Sequence, residues 1–580
     1  MNQISFKKSL RFSLVLMLVL AVALVFAACS SDDDSDTDTG TGTTTESGTG
    51  ATGGAAEVVD GDYTAAAAQG TGLPHDTAGE ITVFLWGGGE GDDQLRRDVG
   101  RTNIPVSEIG SSSAGGVIAS ARAFNEIFPN IAINVYVRVG DPNADDVPWI
   151  QYRENFALEH GQPDIFGVYN LIDEILMGNV ADLTIFQDEP TFRQFNPTLM
   201  EMGNIGGQQF ALPGYVLPWG VYVNRTLAEA QNIDVPNHNW TIEQYFRFVD
   251  HSSPNEFYGS MAPPWVVVDS GTPDFHYLLL NRGSNDPFVR LNSPEMRDLL
   301  SMMPRAIPHA VWAQNGAGNV APEFMDDNWW WAFRFFQNGR VLALESQPYM
   351  MGALATSGGD LEAVMANWDI FPRPSTPYVG NHVGLIFDPI GIRNFAMNDG
   401  NPELNEEEYQ QLRIAFEFLT FMNGDTRAWQ ARSQQQYTSG DGFGIAMNDS
   451  FPKVTGAAFY EQMEFWYQGG RERFRDPATM PGFHYMMQVW ERGDIVGFSD
   501  KVVPWWHDFE GSRRLIAHEW LNKWSFDVAG ASDGEPHWLD MVFARLADWD
   551  VDTNARFVEA WADVFAAIDR FYPIQTRPGS

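Results

Sequence analysis

The stretch Ile81-Thr-Val-Phe-Leu-Trp86 decides the fold class when read with three segments downstream: 114–128 (AGGVIASARAFNEIF), 131–139 (IAINVYVRV) and 163–169 (PDIFGVY). The first is a compact β run. In the third, Ile131, Ile133, Val135, Val137 and Val139 alternate with other residues at the strand period of two. Residues 114–128 instead show helical spacing and stop at Pro129. Trp149–His160 is a second helix candidate, Pro163–Tyr169 a short apolar strand, and Asn170–Met177 a third helix. Strand, helix, strand, helix, strand predicts a parallel sheet covered by helices. In such sheets ligands sit beyond the carboxyl ends of the strands, so Trp86–Glu90 and Tyr169–Asp173 are the first places to seek a site.

Upstream of this unit, Lys7, Lys8 and Arg11 precede a short apolar run, Leu14–Ala28, that ends in Ala27 and Ala28 before Cys29. A basic region, an apolar region and small residues before a cleavage point are the layout of a secretory signal. The run is shorter than the ~20 apolar residues a membrane-spanning helix needs. Cys29 is the only cysteine of the chain. Its position resembles that of a bacterial lipoprotein, which implies that the thiol takes a lipid and Cys29 becomes the mature N-terminus. Phe26 departs from the usual Leu of that pattern. Ser30–Gly54 carries almost no side chain large enough to bury and predicts a solvated tether, continuing to about Gly79. The expected layout is a signal peptide over 1–28 and a tether over 29–79, placing the body at the outer face of the cytoplasmic membrane.

About 500 residues remain after the tether, too many for one core, which predicts two or more domains. With one cysteine, disulfides and cysteine-based metal clusters are excluded. The net charge is −40, from 76 acidic against 36 basic residues, of which only five are Lys. Nucleic acid is excluded as a partner, because a phosphate backbone needs a basic footprint. No cofactor motif stands out.

Further stretches follow in a recognisable order. Residues 124–131 (FNEIFPNI) and Gly161-Gln-Pro-Asp-Ile come first. Gln208–Pro213 then precedes Trp219-Gly-Val-Tyr-Val-Asn-Arg225, and 236–245 (PNHNWTIEQY) places a proline before a Trp-Thr helix start. Phe336–Glu345, Trp368–Pro374 and 415–424 (AFEFLTFMNG) complete the series. Together they resemble the extracellular solute-binding proteins of ABC importers, carbohydrate-type, over about residues 80–430. The resemblance implies a two-lobed α/β fold, periplasmic-binding-protein-like, with a ligand cleft between the lobes. It places one lobe at 80–215 with 375–440 and the other at 216–374 with 441–580. It also implies a monomer that delivers a solute to a membrane permease. The loop 87–113 and the chain beyond 440 depart from the pattern.

Short motifs are weaker. Gly87-Gly-Gly-Glu90 lacks the continuation of a phosphate loop and reads as a flexible cleft loop. Gly530-Ala-Ser-Asp-Gly534 matches a nucleophile elbow, yet the one later histidine, His537, is too near to complete a triad. His518-Glu519 lacks the second histidine of a zinc protease. Asp548, Asp550, Asp552 and Glu559 fit a calcium loop except for Thr553 in the glycine place, and a helix Asn554–Tyr572 capped by Asp552 or Thr553 explains them more simply. No metal site is expected.

A sugar presents an apolar face and a rim of hydroxyls, which calls for aromatic platforms beside polar side chains. The candidate platforms are Trp86, Tyr169, Tyr215, Trp219, Trp265 and Tyr349. Their polar neighbours are Glu90, Asn170, Asp173, Asp269, Glu345 and Gln347, with Asn381 and His382 as lesser additions. Any one of these aromatics is as readily a core residue. Trp329-Trp-Trp331 cannot all face one cleft from a helix. The expected activity is capture of a carbohydrate without catalysis. A surface glycan-degrading enzyme, which needs a carboxylate pair, stays open as an alternative. So does a peptide-binding or sensor protein of the same fold.

Overall fold

Strands Gly79–Trp86 (β1), Ile131–Arg138 (β2) and Ile165–Gly167 (β3) are all parallel, with Val83 level with Val135 and Ile165. This computed structural model describes residues 72–86, 112–138, 149–253 (Tyr169 apart), 256–260, 292–302, 309–310, 336, 339–346, 367–398 (Tyr378 apart), 401–434, 436–438, 444–446, 450–468, 471–497 and 538–574. The segments expected to form a leader (1–28) and nearly all of a tether (29–79) therefore lie outside the described residues, as do Gly87–Glu90, Trp329–Trp331, His518 and Gly530–Gly534. Helices Ser112–Ile127 (α1), Trp149–His160 (α2) and Leu171–Leu176 (α3) fill the connections, as the sequence period predicts.

The pleat sends alternate side chains to two cores. Ile81, Val83 and Leu85 join Ile131, Ile133 and Val135 on one face, against Phe124 of α1. Phe84, Tyr136 and Phe166 belong to the other face. There Phe84 stacks on Phe156 of α2 with centroids 4.5 Å apart. Arg153 of α2 pairs with Glu174 of α3, both buried.

After a small hairpin, Asn204–Ile205 (β4) with Gln208–Gln209 (β5), the chain enters a long strand, Leu212–Asn224 (β6). Arg225–Ala230 (α4), Ile242–Val249 (α5), Tyr258–Ser260 (β7), Pro294–Met302 (α6), Val341–Ser346 (β8) and Trp368–Phe371 (β9) follow. Helix α5 starts at a full capping box: Thr241 Oγ1 accepts from Gln244 N, and the Gln244 side chain accepts from Thr241 N. Such a reciprocal cap satisfies two of the amides a helix leaves open. Val383–Ile392 (β10) returns beside β6, and Glu406–Gly424 (α7) and Thr426–Ser433 (α8) pack on the first sheet with α1.

The sheet order is β2-β1-β3-β10-β6-β8-β7, with β9 also on β6. The central strands β6 and β10 thus run through both halves of the molecule. A cation ties α7 to the chain entering the body. Arg413, 3% exposed, pairs with Glu189 and Glu417, while Glu417 Oε1 also accepts the amide of Gly72 at 2.9 Å. Burial pushes the Glu417 carboxyl above the usual carboxylate range, against the pull of Arg413.

Beyond 440 the described chain touches both halves. Val216 N donates to Ser450 Oγ (3.0 Å) and Asn196 N to Lys453 O (2.7 Å). Helices Gly456–Trp466 (α9) and Pro481–Glu491 (α10) carry an aromatic cluster in which Trp466 stacks on Phe483. Gln436–Thr438 (β11) and Gly444–Ala446 (β12) form a hairpin, and Ile495–Gly497 (β13) lies parallel to β10. The last helix corrects the sequence reading. It does not begin at Asn554 under a cap from Asp552 or Thr553, but runs unbroken from Trp538 to Phe571 (α11). Asp and Thr disfavour a helix by well under 1 kcal/mol each, and tertiary packing of Leu546, Ala560, Trp561 and Val564 overrides that. A helical backbone through Asp548–Glu559 also removes the calcium loop, and among the described residues no acidic or histidine cluster could hold a metal.

Candidate functional site

Strand directions locate the site. β10 is antiparallel to β3, with Ile390 opposite Gly167, and antiparallel to β6, with Ile390 opposite Leu212. β6 therefore runs parallel to β1–β3 and continues past their carboxyl ends. In the other half β8 runs antiparallel to β6 and ends with Ser346 opposite Gly220, while β7 is parallel to β8. The parallel strands of both halves aim their carboxyl ends at one segment of β6, between Leu212 and Gly220. Loops that leave carboxyl ends are where α/β sheets bind ligands.

Tyr215 and Trp219 sit in that segment. Four residues apart on one strand, they share a face and are separated by about 13 Å at a strand rise of ~3.3 Å per residue. Both are half-buried in a strand whose other residues are buried, the exposure expected of platforms at the base of a crevice. Glu345, next to the carboxyl end of β8, is level with Val221. Trp86 ends β1 opposite Arg138. Tyr215 and Trp219 therefore lie at the crossover, with the strand position of Glu345 one pair beyond it and that of Trp86 at the carboxyl end of β1.

Asn170 has a local task. Its Oδ1 caps α3, accepting from Ile172 N (2.9 Å) and Asp173 N (3.4 Å). Asp173 stands exposed in the first turn of that helix, just beyond β3. Asn381 is drawn into the fold: its Nδ2 donates to Trp240 O (2.9 Å) and Arg373 O (3.1 Å). His382 is 2% exposed, with Nδ1 3.1 Å from Gly380 O. Both are explained by holding the β9–β10 connection. Glu90, Tyr169, Trp265, Asp269, Gln347 and Tyr349 lie outside the described residues.

One candidate was missed. Asp388 lies directly opposite Tyr215, half-buried, at a register shift between Asp388 and Pro389. Bulges re-aim a side chain and recur beside functional sites. The available signal was an isolated carboxylate between Phe387 and Pro389 in an apolar strand.

No protein-family model matches the chain, and no curated protein matches it. Among solved structures it is similar to a cyclic α-maltosyl-1,6-maltose binding protein from Arthrobacter globiformis, at 16% identity and a TM-score of 0.51, over 82% of this chain and 99% of the other. An ABC substrate-binding protein from Listeria monocytogenes, solved with cycloalternan, aligns at 15% identity and a TM-score of 0.48, over 83% and 100%. The first likeness shows the fold: the chain has the two-lobed α/β architecture of periplasmic-binding-protein-like proteins, with a mixed parallel and antiparallel sheet.

Proposed function

We propose that the protein is an extracytoplasmic solute-binding protein that captures a saccharide between its lobes and passes it to an ABC permease. The observation that carries the reading is the convergence of strand ends from both halves on Tyr215 and Trp219. Aromatic faces held by a rigid strand offer apolar area at low entropic cost, and a carboxylate opposite Tyr215 suits hydroxyl groups. The Arthrobacter protein of this fold is named for binding a cyclic maltosyl-maltose, which favours an oligosaccharide as the ligand class. Trp86, Asp173 and Glu345 would complete the rim, and Glu90, Tyr169, Trp265, Asp269, Gln347 and Tyr349, which follow the same strands in the sequence, are further candidates. Asn170 would contribute through its amide alone.

The mechanism is capture. Solute held by residues of both halves contacts more surface in the closed than in the open state, and that difference in affinity drives closure. The lobes divide near the middle of β6 and β10. Cys29 would carry a lipid that holds the body at the outer membrane face through the tether.

Calorimetric titration with maltotetraose, cyclic maltosyl-maltose and a set of peptides tests the reading, with chromatography of the saccharides afterwards. Micromolar binding of an intact saccharide is expected. Binding confined to peptides, or cleavage of the saccharide, overturns it.

A further inference from the structure

Helix α11 touches both halves of the molecule. At 34 residues it is about 51 Å long. Its C-terminal half belongs to the first half of the fold. Tyr572 packs edge-on against Phe210 with centroids 4.7 Å apart, and its carbonyl accepts from Gln208 Nε2 at 3.1 Å. Phe565 and Ile568 cover Gly206 of the β4–β5 turn, and Phe571 covers Gly178 behind α3. Trp561, Val564 and Ile568 are buried.

The other end is held by α6, which lies in the chain between β7 and β8. Arg297 of α6 donates through Nη2 to Phe543 O (3.0 Å), and its guanidinium stands 4.8 Å over the Phe543 ring. Asn292 Oδ1 orients that guanidinium, accepting from its Nε at 2.9 Å. Val551 and Val558, seven residues apart and so on one face of the helix, are 73% and 60% exposed, which turns that face of the span between the clamps to solvent.

A helix does not stretch. The chain connections through β6 and β10 let two lobes bend, yet a strut clamped to both cannot follow a large bend with both clamps intact. The C-terminal clamp holds the buried Trp561, Val564 and Tyr572 with the half-buried Phe565 and Phe571. The α6 clamp is smaller, the Arg297–Phe543 contact beside the buried Leu546, so it is the one that yields.

We propose that α11 is a strap across the two lobes and that Arg297–Phe543 is its latch, limiting the range of hinge angles. This rests on the two-lobed reading of the proposed function but not on the identity of the solute. The test is a spin-label distance measurement on the full-length chain with Cys29→Ser, labelled at Leu158→Cys on α2 and Gln231→Cys after α4. Both positions are exposed, one in each half. Without solute, Arg297→Ala is expected to broaden the distance distribution and to shift maltotetraose affinity by about fivefold or more, since angle and affinity are linked. An unchanged distribution overturns the strap. If Arg297→Ala fails to fold, Phe543→Leu, which keeps the carbonyl and removes the ring, is read in the same way. A broadened distribution with no saccharide bound at all would sustain the strap and sink the solute reading instead.

Discussion

Asp369 Oδ2 accepts the amide of Gly482 at 2.8 Å, across 113 residues of chain. Its Oδ1 accepts from Phe483 N at 3.1 Å, and Arg225 pairs with the same carboxylate. One buried side chain on β9 thus caps α10 and neutralises the cation that opens α4. Helix α10 belongs to the segment after residue 440, so this carboxylate is a principal tie between that segment and the second half of the sheet.

Asp369→Ala should therefore be among the most damaging substitutions. It leaves Arg225, mostly buried, without its carboxylate and two helix amides without a cap, and breaking such a buried pair costs about 3–5 kcal/mol. Asp369→Asn keeps an acceptor for the amides and should cost less. Urea unfolding followed by tryptophan fluorescence measures both.

Tyr215→Ala and Trp219→Ala should each weaken saccharide binding by roughly 10-fold or more, about 1.4 kcal/mol at least, with little change in melting temperature. Each removes a half-buried ring, not a core residue. Titration calorimetry reads the affinity. Unaltered affinity in both variants would move the site away from β6.

Stability should rise as the pH is lowered from 7 towards 5. Burial raises the carboxyls of Asp164, Glu174, Asp182, Asp369 and Glu417 above their ordinary values, in each case as the largest influence. A carboxyl raised in the folded state binds its proton more tightly when folded. Its stabilising contribution is complete below the unfolded value near 4 and is lost as pH rises through the folded value. Relief of the net charge of −40 acts in the same direction. Calorimetric melting at constant ionic strength should show the rise, and Glu417→Gln should flatten it.

Gly259→Ala should cost about 1–3 kcal/mol or prevent folding. A Cβ on Gly259, in β7, would stand 1.8 Å from the carbonyl oxygen of Val249, and backbone on both sides leaves neither partner free to move aside. Thermal unfolding against wild type is the measurement.

Much of the first half was legible because its signals are local. β1, β2 and α2 follow from periods of two and 3.6 within a dozen residues, while in the other half the helix start at Trp240-Thr241 was read from resemblance and only the structure shows its capping box. The site was less legible. Tyr215 and Trp219 were chosen from resemblance and type, while Asp388 was passed over because its importance lies in being opposite Tyr215, 173 positions earlier in the chain.

By itself the sequence determined the parallel βαβ opening and the acidic, single-cysteine composition, and it carries the pattern from which a leader and tether are expected. Tertiary structure alone decided the rest. β6 contains Pro213, Gly214, Pro218 and Gly220, residues that disfavour strands, and is a strand because β10, β8 and β9 pair with it from far along the chain. α11 is one helix because buried contacts at its two ends outweigh the weak preferences of the acidic residues between them. Local preference is worth tenths of a kcal/mol per residue, and burial of a large side chain is worth about 1.5–3 kcal/mol, so contacts between distant segments decide wherever the two disagree.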